Sequence, residues 1–182
     1  MGITRIAIIM FVVAVVLGPL YSVEGYSPVS NVISELAAQR TPHNYIMASA
    51  FLALGAAVVA QGISAFRRPL LPFVAFGISF GAAGLFGHKP IDPEVPYSSW
   101  VDAAHSALAT VSGVSLTAGF LWQAVAARLQ WYRWLSAALV LVCVGMPLLM
   151  LQYPHYQGLV QRVMYLLVFA WLWVYYPRRA HA

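Results

Sequence analysis

Residues 6–20 read IAIIMFVVAVVLGPL, without a single charge, and Ile3, Thr4, Arg5 and Tyr21 extend the stretch to 3–21. A helix crossing a hydrocarbon core about 30 Å thick needs about 20 mostly apolar residues. An arginine ahead of such a run also opens a secretory leader, but no A-x-A-like cleavage site follows; Tyr21, Ser22, Val23 and Glu24 stand there instead. The stretch therefore predicts an uncleaved transmembrane helix. Five more segments meet the same test, at roughly 45–66, 70–87, 100–126, 134–152 and 159–176. Backbone N–H and C=O groups in lipid must be satisfied within their own segment, which a helix does. These apolar runs do not alternate in the manner of barrel strands. The expected fold is all-α: one transmembrane domain over 1–182, a polytopic bundle of six helices.

Composition agrees. Of 182 residues 62% are hydrophobic and 8% charged, with a mean hydropathy of +0.77, against roughly 25% charged residues in soluble domains. A water-soluble globule, a disordered tail and a nucleic-acid reader are excluded. Cys143 is the only cysteine, so the chain can form neither an intrachain disulfide nor a thiolate cluster. Within its Leu/Val run it reads as a small buried hydrophobe. Nine arginines against one lysine, with abundant alanine, suggest a GC-rich bacterial genome and hence an inner (plasma) membrane.

Charge sets the expected orientation. With the N-terminus inside, Arg5, Arg67, Arg68, Arg128, Arg133, Arg178 and Arg179 fall on the cytoplasmic side, and Arg40, Lys89 and Arg162 on the other. Seven against three satisfies the positive-inside rule and places both termini in the cytoplasm. Trp122, Trp131, Trp134, Trp171 and Trp173 gather near one set of helix ends and Trp100 near the other, as in an interfacial aromatic belt. Pro147 is expected to kink the fifth helix. Gly77 and Gly81, spaced G-x-x-x-G, predict close internal packing of the third helix on a neighbour.

All five acidic residues, Glu24, Glu35, Asp92, Glu94 and Asp102, fall on the outer side, with His43, His88, His105 and His155; only His181 lies opposite. Chemistry is therefore expected at the outer mouth of the bundle. In the first outer loop Ser27 can cap a short amphipathic helix beginning at Pro28. Val29, Val32, Ile33 and Leu36 would line one face, and Ser30, Asn31, Ser34 and Glu35 the other. Such a helix lies at the interface or folds over the bundle; a solvated polar face is preferred to an inward-turned Ser34 and Glu35. In the second outer loop, stiffened by Pro90, Pro93 and Pro96, His88 and Asp92 are candidate metal ligands. Ser99-Trp100-Val101-Asp102 has the form of a capping box. One turn on, His105 shares a face with Asp102, an Asp–His pair able to fix an imidazole tautomer for general-base work or metal ligation. The metal candidates are thus His88, Asp92, Asp102 and His105; the catalytic candidates are Glu35, Asp102, His105 and Arg162. Arg162 near the outer end of the last helix must snorkel or pair with Glu35, Asp92 or Asp102.

Ser34-Glu35-Leu36-Ala37 after the first helix, Pro90-Ile91-Asp92, His105, and Gly158-Leu159-Val160-Gln161-Arg162 opening the last helix together resemble the Domain-of-Unknown-Function 998 family of small six-helix membrane proteins. The family typically carries an aromatic residue before its Pro-x-Asp segment, where this chain has Lys89. The resemblance implies a fold and a set of polar positions, and no established reaction. A more distant, fold-level likeness is to seven-helix membrane hydrolases such as alkaline ceramidases, which hold zinc with Ser, Asp and three His; the HxxxH pair is missing from this chain.

Two functions fit these residues. The first, preferred because HExxH, HxxxH and paired CxxC spacings are all missing, is a multi-pass protein that binds a lipid, pigment or partner as an accessory subunit of a membrane assembly. Its partners would be membrane lipid and other membrane-protein subunits, not nucleic acid. The second is a metal-assisted or general-base hydrolase of lipid head groups at the outer leaflet. Glu35, Asp92, Asp102 and His105 would supply ligands or base, and Arg162 would stabilise a phosphate or oxyanion. The residues name no cofactor; a bound lipid suits either reading, and a divalent metal stays open.

Overall fold

Six α-helices follow the apolar runs: α1 Ile3–Tyr21, α2 Asn44–Ala65, α3 Leu71–Ala83, α4 Ser99–Ala126, α5 Gln130–Gln152 and α6 Gln157–Val174. They are seen in a computed structural model whose described residues are 2–65 and 68–176. Arg67, Arg178, Arg179 and His181 lie outside the described residues, as does Phe66 at the expected end of the second helix. Short 3-10 turns occupy Ile33–Ala37, Arg68–Leu70 and Pro154–Tyr156, and there is no strand among the described residues. Among the described residues five helices are long and apolar enough to cross a membrane: α1, α2, α4, α5, and α6 with its lead-in turn, Pro154–Val174.

The third helix is shorter than its apolar run. Expected over 70–87, it begins at Leu71 and stops at Ala83. Two causes act at its end. Gly84 is wedged against α2, where an added Cβ would stand 2.7 Å from the Ala48 carbonyl oxygen. On either side of it the Ala83 and Phe86 carbonyls meet the ring of His105 on α4, and that of Ala83 also accepts from the Phe86 amide in a tight turn. The Phe86 carbonyl thus looks to a side chain, and the chain leaves the helix although its residues stay apolar.

Helices adjacent in sequence pack side by side from α1 to α6, and α1 meets α6 to close the ring. Phenylalanine fills the middle. Phe11, Phe51, Phe80 and Phe169 cluster in edge-to-face and tilted pairs, the Phe11–Phe51 centroids 5.3 Å apart, and Phe73 stacks on Trp171 at 4.8 Å. Such geometry adds about 0.5–1.5 kcal/mol per pair beyond burial. The α2–α3 crossing is closest, as the G-x-x-x-G spacing predicts: an added Cβ on Gly55 would stand 2.6 Å from the Gly81 Cα, and one on Gly77 would stand 2.9 Å from the Gly55 carbonyl oxygen. Cys143 is buried, as expected. α5 runs through Pro147 to Gln152.

Two local expectations change. Trp171, placed in the interfacial belt, is a core residue between Phe73 and Phe120, whereas Trp100, Trp122, Trp131 and Trp134 are exposed as a belt requires. The first outer loop is not a helix from Pro28 with a solvated face. Its helical turn is the 3-10 segment Ile33–Ala37, folded into the mouth of the bundle with Val32, Ile33, Ser34, Leu36, Ala37 and Ala38 all buried. Leu36 is the anchor: its side chain fills the space over Gly18 of α1, where a Cβ would stand 2.6 Å from it. Ser27 Oγ accepts from the Val29 amide and caps only a turn.

Candidate functional site

The outer polar residues divide into two groups, at opposite sides of the folded-in first loop. Around the junction of α3 and α4 stand His88, Asp102 and His105. His105 is buried, and its Nδ1 lies 3.0 Å from the Ala83 carbonyl oxygen and 2.8 Å from that of Phe86. Two acceptors around one nitrogen require that Nδ1 carry the proton and donate. The carbonyls therefore set the tautomer, not Asp102. Asp102 in turn closes no capping box: its Oδ1 accepts from the Lys89 amide at 2.8 Å and faces His88 Nδ1 at 3.7 Å. The rings of His88 and His105 meet edge to face, 5.4 Å between centroids.

Asp92, expected with His88 as a ligand, stands apart from this group. Its Oδ1 accepts from the Glu94 amide and forms the turn of the proline-rich loop. Among the described residues no three of His, Cys, Asp and Glu converge as metal ligands.

The second group lies where α6 begins. Arg162 pairs with no carboxylate within ion-pair distance among the described residues. Its Nη1 donates to the carbonyls of Pro28 (2.7 Å), Asn31 (2.9 Å) and Gly158 (2.9 Å), and Nη2 donates to Tyr26 Oη at 2.5 Å. The guanidinium also stands 5.9 Å from the centre of the Tyr26 ring. Burial raises the Tyr26 phenol above its ordinary range; the Arg162 charge and hydrogen bond work against that shift, and Glu35 works with it. The phenol is neutral at physiological pH and serves Arg162 as a neutral acceptor. Glu35 is occupied locally, its Oε2 accepting from the Val32 amide at 2.7 Å.

The rest of the 158–162 segment also holds the loop. Gln161 Oε1 accepts from the Ile33 amide at 2.6 Å, and the Leu159 amide donates to the Val29 carbonyl at 3.0 Å. Gly158 lets the loop lie against the helix, since a Cβ there would stand 2.7 Å from the Pro28 carbonyl oxygen. On the loop's far side Gln39 ties it to the second outer loop, donating from Nε2 to the Gly87 and Ser98 carbonyls and accepting from the Ser98 amide. Tyr26, Gln39 and Gln161 are missing from the sequence-based candidates. Loop amides and phenols carry no periodicity, and only the Gln161-Arg162 pair within the quoted segment hinted at them.

Between α1 and α6, directly beneath Arg162, lies an apolar groove of about 410 Å³. Ile8, Val12, Val15 and Val16 form one wall and Tyr165, Leu166, Phe169 and Ala170 the other, with Ile33 and Arg162 at the outer end. Helix contact between α1 and α6 is the thinnest in the ring. At the opposite end Arg5 pins the two helices, its Nε donating to the Trp173 carbonyl at 2.9 Å with the guanidinium 5.6 Å from the Trp173 ring centre.

A ring of apolar helices with its charged side chains gathered at the ends, among the described residues, defines a helical membrane protein. The chain belongs to the family described as protein of unknown function (DUF998), whose match spans residues 5–176. No curated protein matches it, and no solved structure does.

Proposed function

We propose that this protein binds a membrane lipid in the α1–α6 groove and serves as a lipid-binding accessory subunit of a membrane assembly. One observation carries the reading: a groove of about 410 Å³ that is mostly apolar and opens between two helices, with one charged residue, Arg162, at its end. Ligand sites of this kind are about 300–1,000 Å³, mostly apolar, with few polar groups to fix orientation. A second apolar groove, along α4 and α5 from Ala109 to Leu121 and beside Cys143, Val144 and Pro147, supports the assembly half of the proposal. We place the protein in a bacterial inner membrane, with the carboxylates and His88 on the periplasmic side, on the distribution of arginine.

Hydrolysis of lipid head groups finds less support. Glu35 and Arg162 belong to one group and Asp102 and His105 to the other, and His105 Nδ1 is committed to two carbonyls.

Native mass spectrometry of the protein extracted in mild detergent tests the proposal. A retained lipid is expected in the wild type, with its loss in Val12→Trp, which fills the groove. A wild-type protein that emerges without lipid, or a Val12→Trp variant that keeps it, overturns the reading.

A further inference from the structure

We infer that the lipid held in the α1–α6 groove carries a net anionic phosphate headgroup, and that Arg162 holds it; this rests on the groove being a lipid site. Arg162 lines the outer end of the groove. Every acceptor it engages, three carbonyls and one phenol, is neutral. The carboxylate that acts on its partner Tyr26, that of Glu35, is turned to the Val32 amide. A full positive charge is thus seated at the head of an apolar channel with no ion-pair partner among the described residues. Charged side chains at membrane depth are costly and ordinarily pair or snorkel.

The guanidinium is also pre-oriented. Nη1 is saturated by the loop and helix carbonyls, and Nη2 has spent one hydrogen on Tyr26, which leaves Nε–H and one Nη2–H without a protein acceptor among the described residues. Two planar N–H donors on a fixed guanidinium suit phosphate oxygens, and charge-assisted bonds to phosphate are roughly twice as strong as neutral ones. Acyl chains in the apolar groove would bring that phosphate to the level of Arg162. The N-terminal end of α6, one turn away, adds its positive dipole to the same spot.

The test uses the full-length protein in nanodiscs of equal parts phosphatidylglycerol and phosphatidylcholine with identical acyl chains, read by the headgroup ratio of the lipid retained after extraction. Wild type should retain phosphatidylglycerol over phosphatidylcholine by about fivefold, the preference expected of one basic residue near an anionic surface. Arg162→Gln should bring the ratio to about one. That variant also loses three loop contacts and one within α6, so the wild type supplies a second reading: its preference should fall as salt rises, because the recognition is ionic. Equal retention of the two lipids by wild type overturns the headgroup assignment and leaves the groove reading standing. A wild type that retains no lipid overturns both.

Discussion

His105 shows how a residue with catalytic chemistry can be committed to folding. Its Nδ1 serves two carbonyls at the end of α3, that of Phe86 and that of Ala83, which also accepts from the Phe86 amide. Removing the ring strands the Phe86 carbonyl, since that of Ala83 keeps the Phe86 amide, and an unsatisfied buried acceptor costs about 1–3 kcal/mol. His105→Ala should therefore lower stability by about 1–3 kcal/mol. Asn places an amide nitrogen where Nδ1 stands, so His105→Asn should recover at least half of that loss. Unfolding of the two variants in detergent, followed by circular dichroism, checks this. Equal stability of the Ala and Asn forms would remove the donor role. Arg162 is the contrasting residue, because its carbonyl partners occupy some of its donors and leave its charge unbalanced within reach of the groove.

At the scale of elements, glycine separates the faces that pack from those that do not. Gly55 of α2 meets Gly77 and Gly81 of α3 backbone to backbone, while Gly113 of α4 has nothing within 4 Å of an added Cβ. Gly55→Ala should then cost about 1–3 kcal/mol through overpacking. Gly113→Ala should leave stability unchanged or raise it by up to about 1 kcal/mol, the helix-propensity gain of alanine. Thermal unfolding of both variants in one detergent decides; similar losses would mean that the α2–α3 crossing is not the tight one. The same comparison shows why some elements were legible. Long apolar runs announce helices because lipid leaves the backbone no other way to bond, and G-x-x-x-G announced a close crossing. The early stop of α3 was not legible, since its cause is a side chain on a different helix. Nor were the partners of Arg162: charge in a sequence suggests a carboxylate, whereas carbonyl acceptors leave no mark on composition.

For the whole molecule the question is whether the short α3 crosses from one end of the bundle to the other, because the threading of every later helix depends on it. With its lead-in turn it runs Arg68–Ala83, about 24 Å at 1.5 Å per residue, less than the roughly 30 Å of a hydrocarbon core. Contacts at its two ends nevertheless lie at opposite ends of the ring. Val74 meets Gly62 near the close of α2, beside Tyr176 after α6. At the other end the Gln39 amide, just before α2, bonds to the His88 carbonyl just after α3. α2 and α3 therefore run antiparallel over their whole length, and the short helix completes its passage through Gly84–Gly87 as turns whose carbonyls His105 and Gln39 accommodate. Arg5, Arg68, Arg128 and Arg133 then share one end of the molecule, and Arg40, Lys89 and Arg162 the other. Since basic residues concentrate on the cytoplasmic side, the proposed threading puts the Arg128 end inside. In a Cys143→Ser background, Asp92→Cys should react with a membrane-impermeant maleimide in intact cells, and Arg68→Cys, at the other end of α3, only after permeabilisation. Labelling of both from the same side would mean that α3 does not cross, and the Arg162 groove would then have to be reassigned to a different leaflet.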